Sequence, residues 1–521
     1  MDEGFSFKGI TQAVQRVTIK LVSNTNQLKG KMDIIHLVLF SVLFILEEVS
    51  FPQVLLVCQS LEISFSLGRS SMHVSFTRLA KKYGPIMSLR LGSVTSVVVS
   101  SPEIAREILQ KHDEVFCDRA IPDAAKGQAN FHISMVWLPA GNRWRMLRQA
   151  IHNHLTHKHK LDSLVDLRHK AARELVEHVK NGEMSAVAIG NLAFATALNQ
   201  MSNVCFSQNV GEYESKEIQG FMKAVKTIMH VGGKFNISDL FPWLTPLDPQ
   251  GIRGKTKEAY DWLEARDDVF LNQRRDQIRN SNISSSSSIH DHDDLLHSFM
   301  DCGLKDPDFN TQQLKVLLIE LMVAGSDSTS ITAEWVMAKL LLNPDIMKKL
   351  RQEITEIVGT KGKIEEIDIL NLPYLEAVIK ETMRLRLAVP LLMPYKSKEE
   401  VEVNGYVIPR NTQTFINAWA IARDPSYWEV PEKFIPERFL NSTVDFKGQH
   451  FCFIPFGAGR RICPGMPVAH RMVSLIVASL VYHFDWKLPR DTTIDSLDMD
   501  DLFGITLPKV TPLLAVPTSI N

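Results

Sequence analysis

The chain has 521 residues, a formal net charge of −1 and 45% hydrophobic residues. That length suits one large domain or two or three ordinary ones, with apolar side chains enough for a sizeable core. The balanced charge argues against a nucleic-acid binder. The six cysteines, Cys58, Cys117, Cys205, Cys302, Cys452 and Cys463, form no C-x-x-C pair, which argues against a disulfide scaffold or structural zinc site. A reducing compartment is the simpler reading, with most thiols as small buried hydrophobes.

Residues 34–46, IIHLVLFSVLFIL, form an apolar run that Glu47 and Glu48 stop. It is short of the about 20 residues a spanning helix needs. It reads as a retained signal anchor, with a buried amphipathic helix or signal-peptide core as the alternative. Lys8, Arg16, Lys20, Lys29 and Lys31 precede it, which by the positive-inside rule would send the body into the lumen. Translation from Met32 removes that conflict. Residues 1–31 are then an atypical extension, 32–50 the membrane anchor, 51–75 an atypical linker and 76–521 the main domain.

LAKKYGPIMSLRLG and VTSVVVSS predict a helix end, a turn at Gly84-Pro85 and two strands. Pro102 opens a helix through Ile104 to Lys111. From Trp144 to Arg279 the pattern is mostly helical, with a proline-rich loop from Phe241 to Pro249. Ser284 to Ser288, followed by His290-Asp-His-Asp-Asp, reads as a solvated loop rather than a metal site. Thr311 to Leu342 is apolar nearly all round, as expected of a helix crossing the interior, and Asn343-Pro344 ends it. Helices over Asp345 to Val358 and Tyr374 to Leu387 follow. Short strands at Glu400 to Val407 and Thr412 to Asn417 precede an irregular stretch that reaches Cys463. A last helix spans Val468 to Val481.

Phe456-Gly-Ala-Gly-Arg-Arg-Ile-Cys-Pro-Gly465 fits F-x-x-G-x-R-x-C-x-G. Its five fixed residues would match by chance in roughly one such chain in ten thousand. A cysteine thiolate on haem iron pushes electron density towards bound oxygen and favours O–O cleavage. Gly459 and Gly465 have no Cβ to strike a flat macrocycle. Backbone N–H groups after Cys463 can point at the sulfur, and the following helix N-terminus favours its charge. Arg461 is placed for a propionate, and Phe456 for the sulfur side. A glycine-rich loop with a structural cysteine is the plain alternative.

On these residues the chain resembles the cytochrome P450 family over about Ser71 to Pro517. The resemblance implies a mainly α fold with a minor β-sheet, haem b ligated through iron by Cys463, and oxygen insertion into a small apolar substrate. Electrons would come from an NADPH-dependent reductase, with O2 as co-substrate. It implies an anchor in the endoplasmic reticulum membrane, a catalytic domain facing the cytosol, and no nucleic-acid partner. Ala324-Gly-Ser-Asp327-Ser328-Thr329 matches the family's oxygen-side segment. There Gly325 can open the helix and Asp327, Ser328 and Thr329 would handle protons. Trp144 and Arg148 match W-x-x-x-R, for a propionate. Glu381 and Arg384 match E-x-x-R, and Arg438 in Pro436-Glu-Arg-Phe439 would complete a buried network. Phe131, Val323, Ala324, Val389, Leu391 and Ile505 would line the pocket, by analogy of position.

Four positions depart from the pattern. The proline-rich hinge is missing from Glu48 to Gly68. Serine stands at 328 in place of threonine. Arg386-Leu387-Ala388 replaces His-Pro-Pro, and Tyr395 replaces an arginine. KKYGPIMSLRLGSVT, FPWLTPLDPQG, NAWAIARDP and DLFGITLPK resemble plant microsomal members of the geraniol hydroxylase and ferruginol synthase kind, which implies a terpenoid substrate. Two other readings stay open: a member that rearranges a preformed peroxide, and a non-catalytic or decayed haem binder.

Overall fold

The computed structural model describes residues 71–182, 184–281, 294–305 and 310–520. The N-terminal extension, the anchor, most of the linker with Cys58, and the serine-histidine loop up to residue 293 lie outside these.

The described chain is mainly helical with small sheets, as the sequence predicts. Ile86–Leu91 and Val94–Val99 form an antiparallel hairpin. Val97, Val98 and Val99 are all buried, the pattern of a strand covered on both faces. Val94–Val99 then pairs in parallel with Gln413–Ile416, placing Val99 opposite Ile416. Tyr395–Lys396 and Asp118–Arg119 complete this five-stranded sheet. Residues more than 270 positions apart in sequence, Arg119 and Tyr395, thus become direct neighbours.

Thr311–Leu342 is one helix, capped by the Asn310 side chain, which accepts from the Gln313 N–H at 2.9 Å. It has the length and hydropathy of a membrane span, but 72% of its most apolar window is buried inside the protein. It is therefore a core helix. It packs against Ile189–Phe206, Met466–His483 and Pro373–Leu385. Ile189–Phe206 is buried nearly end to end, from Leu192 through Phe206. Trp335 is the largest wholly buried side chain there, with its indole N–H donating to Leu507 O at 2.9 Å.

Three local expectations are refined. The helix expected through Ile104 to Lys111 is an α turn, Pro102–Arg106, running into a π turn, Glu107–Lys111. The proline-rich segment expected as a loop, Phe241 to Pro249, holds a 3₁₀ helix, Pro242–Leu247, just after the short helix Ile237–Leu240; proline's fixed φ and missing N–H suit the start of such a turn. The last helix begins two residues earlier than expected, at Met466, and ends at His483. That start lies three residues past Cys463.

Candidate active site

Cys463 sits between the one-turn 3₁₀ helix Gly459–Arg461 and the helix Met466–His483. Its N–H donates to Phe456 O at 3.0 Å, which closes the loop on itself. The ring of Phe456 packs against Phe446, centroids 5.5 Å apart. Burial pushes the Cys463 thiol pKa up. The N–H groups of Gly465 and Met466 and the Arg148 charge all oppose this, favouring the thiolate. Those two N–H groups belong to the first residues of a helix, as the sequence reading requires.

Gly459 meets a second constraint besides the one expected. Its φ is +66°, and a Cβ there would run into the backbone carbonyl oxygen of Leu109. The glycine lets the cysteine loop seat on the π turn Glu107–Lys111. Gly465 has ordinary helical angles, and a Cβ there would lie 3.8 Å from Cys463 Sγ.

Trp144 and Arg148 share the helix Asn142–Ile151. Arg148 Nη1 donates to Ile462 O at 2.8 Å, next to Cys463. Trp144 is buried between two guanidiniums, Arg148 at 5.6 Å and Arg461 at 4.6 Å from the ring centroid. Arg461 donates to three backbone carbonyls, those of Cys117, Met135 and Leu138. Burial and the nearby Arg119 charge push its pKa down to about 10. Arg119 lies over the Tyr395 ring at 4.4 Å and donates to Met393 O at 2.7 Å; its Nε is buried without a partner. Among the described residues no carboxylate pairs with Arg119, Arg148 or Arg461. Three guanidiniums held by carbonyls and aromatic faces alone form a site for an anion. Arg119 is a residue that the sequence reading missed. It has no local motif, and only the sheet brings it to Tyr395.

The oxygen-side segment lies mid-way along Thr311–Leu342. Ala324 is exposed and Gly325 and Ser328 half-buried within a helix whose neighbours Val323, Ser326, Asp327 and Thr329 are buried; Ala324 and Ser328, four apart, share one face of that helix. Gly325 does not open the helix, which runs unbroken. A Cβ at Gly325 would come within 2.9 Å of the Met201 side chain, so the glycine serves close packing with Ile189–Phe206. Ser326 and Ser328 donate back to the carbonyls of Met322 and Ala324 at 2.7 and 2.8 Å. Ser328 thus spends its hydrogen on the backbone and keeps lone pairs that can accept from a water. Asp327 Oδ2 accepts from Thr506 at 2.8 Å. Burial pushes the Asp327 pKa up to about 6, against the Thr506 bond and the Lys226 charge.

The residues expected to line the pocket come from four segments of the chain. The turn Phe131–Ile133 is tied to the start of the central helix by Gln313 Nε2, which donates to Ile133 O at 2.9 Å. One helical turn before Ala324, Glu320 accepts from Ser134 Oγ and from Met135 N, and burial pushes its pKa up to about 7. Ile505 N donates to Met229 O at 2.7 Å, and Leu507 N to Ala388 O at 3.0 Å, which ties the loop of Ile505 to the segment that carries Val389. Val323 and Leu391 are buried, while Phe131, Val389 and Ile505 are half-buried.

Glu381, Arg384 and Arg438 form the expected network. Arg384 meets both Glu381 oxygens at 2.7 and 2.9 Å, and Arg438 Nε meets Glu381 Oε1 at 3.1 Å. Glu381 and Arg384 have no exposed surface. Arg384 lies over Trp428, whose indole N–H donates to Cys452 O at 3.3 Å. The network therefore holds the segment that leads into the cysteine loop.

Two of the departures have partners. Arg386 pairs with Asp501 at 3.1 Å and lies over Trp335 at 4.4 Å. Tyr395 is buried beneath Arg119.

Residues 50–516 match the cytochrome P450 family. Geraniol 8-hydroxylase of Catharanthus roseus is 40% identical over 451 residues, covering 86% of this chain and 90% of that protein. Carnosic acid synthase of Rosmarinus officinalis is 42% identical over 462 residues, 87% of this chain and 90% of that one. Ferruginol synthase of Isodon rubescens is 40% identical over 451 residues, with coverage of 86% and 90%. A zebra fish cytochrome P450 solved with progesterone superposes with a TM-score of 0.73 at 24% identity, covering 86% of this chain and 99% of that one.

Proposed function

The chain belongs to the cytochrome P450 family of haem-thiolate monooxygenases, and from that premise we propose that it hydroxylates a small apolar terpenoid, with Cys463 as the iron ligand of haem b. Electrons come from an NADPH-dependent reductase, O2 is the oxidant, and the domain faces the cytosol from the endoplasmic reticulum membrane. The anion site beside the thiol carries this reading. Among the described residues no carboxylate pairs with Arg119, Arg148 or Arg461, and the buried Arg119 Nε has no hydrogen-bond partner. A group bearing two carboxylates and a metal that takes a thiolate fits both features.

Bound haem supplies the oxygen-activating iron. The protein's part is to hold and protect that chemistry. Trp144, Arg148 and Arg461 would hold the propionates, and the N–H groups of Gly465 and Met466 would steady the sulfur charge. Ser328 accepts a hydrogen bond from a water, and Asp327 resupplies its proton. A pKa near 6 lets Asp327 both give and regain a proton near neutrality. Val323, Ala324, Leu391 and Ile505 offer an apolar wall that suits a hydrocarbon skeleton. The terpenoid class rests on relatives named geraniol 8-hydroxylase, carnosic acid synthase and ferruginol synthase.

The test is reconstitution with reductase and NADPH against a panel of terpenoid alcohols and hydrocarbons. A hydroxylated product that needs both NADPH and O2 is expected. Conversion of a hydroperoxide without NADPH would establish a rearranging enzyme instead. Haem binding with no product under either condition would establish a non-catalytic binder.

A further inference from the structure

We propose that Thr506 is a positioning residue for proton delivery: it fixes the Asp327 carboxyl group, and so ties the pocket loop that carries Ile505 to the proton relay. This rests on the monooxygenase reading of Asp327.

Thr506 and Asp327 stand 179 residues apart, and each is 4% exposed. The hydroxyl has one hydrogen, and it goes to Oδ2 at 2.8 Å. That bond stops the carboxyl group from turning over and leaves Oδ1 to carry the mobile proton. The proton leaves Oδ1 towards the water at Ser328, and the carboxylate left behind is reprotonated from solvent.

The bond can position only if Thr506 is itself held, and its loop is pinned on several sides. Leu507 N donates to Ala388 O at 3.0 Å, and Trp335 Nε1 to Leu507 O at 2.9 Å. Ile505 N donates to Met229 O at 2.7 Å. Gly504 lies so close to the helix Lys216–Gly232 that a Cβ would come within 2.6 Å of Met229 O. Arg386 holds Asp501 at the start of the loop. Ile505, which the family resemblance places at the pocket and whose side-chain tip lies against Gly232, is thus adjacent to the residue that orients the acid. A substrate that moves Ile505 moves Thr506 with it.

The charged group acting on Asp327 from the facing helix is Lys226. Glu334 and Lys509 interact with each other further along the central helix. Removing the Thr506 donor strips support from the charged carboxylate, so its pKa rises.

The test uses full-length holoprotein with reductase and NADPH, in the variants Thr506→Val, Thr506→Ser and Asp327→Asn. The red-shifted band of the reduced carbon-monoxide complex checks that each variant folds, and Thr506→Ala replaces the valine variant if that one fails. Thr506→Val should lower product formed per NADPH roughly tenfold, the factor for losing a hydrogen bond to a charged group. Hydrogen peroxide should rise in step, and the pH midpoint of coupling should move up by about one unit. Thr506→Ser should keep both values. Normal coupling and an unmoved midpoint in Thr506→Val, with Asp327→Asn uncoupled, would overturn the proposal alone. Normal coupling in Asp327→Asn would overturn the relay reading beneath it.

Discussion

Arg384 and Arg438 share a buried carboxylate, whereas Arg119, Arg148 and Arg461 share none. The first group is closed. Glu381 meets both guanidiniums, and backbone carbonyls of Ala422, Glu429 and Lys433 take further donors. The second group is open: among the described residues carbonyls and aromatic faces hold it, and no carboxylate forms an ion pair with it. A closed network holds a fold together. An open one spends folding energy to keep a place for an anion, and the thiol of Cys463 lies beside it.

The largest effect should come from breaking the closed group. Glu381→Ala strands two guanidiniums, one wholly buried, and should cost about 3–5 kcal/mol. Thermal unfolding of the purified protein reads this, and little haem-loaded protein should accumulate. Breaking the open group should act on the cofactor instead. Arg461→Leu should speed transfer of haem to an apo-acceptor roughly tenfold to a hundredfold, as for a lost charge-assisted hydrogen bond. The haem-free protein should lose less stability than with Glu381→Ala, since Arg461→Leu takes donors from the carbonyls of Cys117, Met135 and Leu138 but strands no buried charge. Equal damage to haem-free stability from both substitutions would erase the distinction.

A third kind of buried charge sharpens the contrast. Asp267 is 2% exposed, neither of its carboxylate oxygens has a hydrogen-bond partner, and burial pushes its pKa up to about 8. The sign follows from proton counting. Between the unfolded value near 3.8 and the folded value, the native state holds the extra proton, so stability falls as pH rises through that window. Asp267→Asn should flatten the fall and leave the variant more stable above about pH 8, by a few kcal/mol at most. Denaturation midpoints across that range would show it.

The smallest effect is expected at Ser328. Threonine there would keep the hydroxyl's bond to Ala324 O and add a methyl that restricts its rotamer. Product per NADPH should rise by less than about twofold, within the fraction of a kcal/mol that one rotamer restriction gives.

Much of this site was legible because its signals are local. The cysteine loop, W-x-x-x-R, the acid-hydroxyl segment and E-x-x-R each lie within one turn or helix, where spacing alone fixes a shared face. The central helix was legible from its all-round apolar pattern. What the sequence hid depends on chain segments meeting from far apart. Arg119 reaches the site only through the sheet that pairs it with Tyr395. Thr506 sat in a stretch read only for its family likeness, and nothing in its spacing points to Asp327. The close approach of Gly459 to Leu109 O is hidden likewise, since Leu109 is remote in sequence. Arg386 and Tyr395 were read as losses, yet one gains Asp501 and a tryptophan face and the other supports a guanidinium.

The central claim is that Cys463 binds haem iron as a thiolate beside the open arginine group. The carbon-monoxide difference spectrum of the reduced protein tests it most directly, for the parent chain and for Cys463→Ser. The account predicts a strongly red-shifted Soret band in the parent and its loss in the serine variant. A parent that binds haem without that band, or a serine variant that keeps it, would contradict the account.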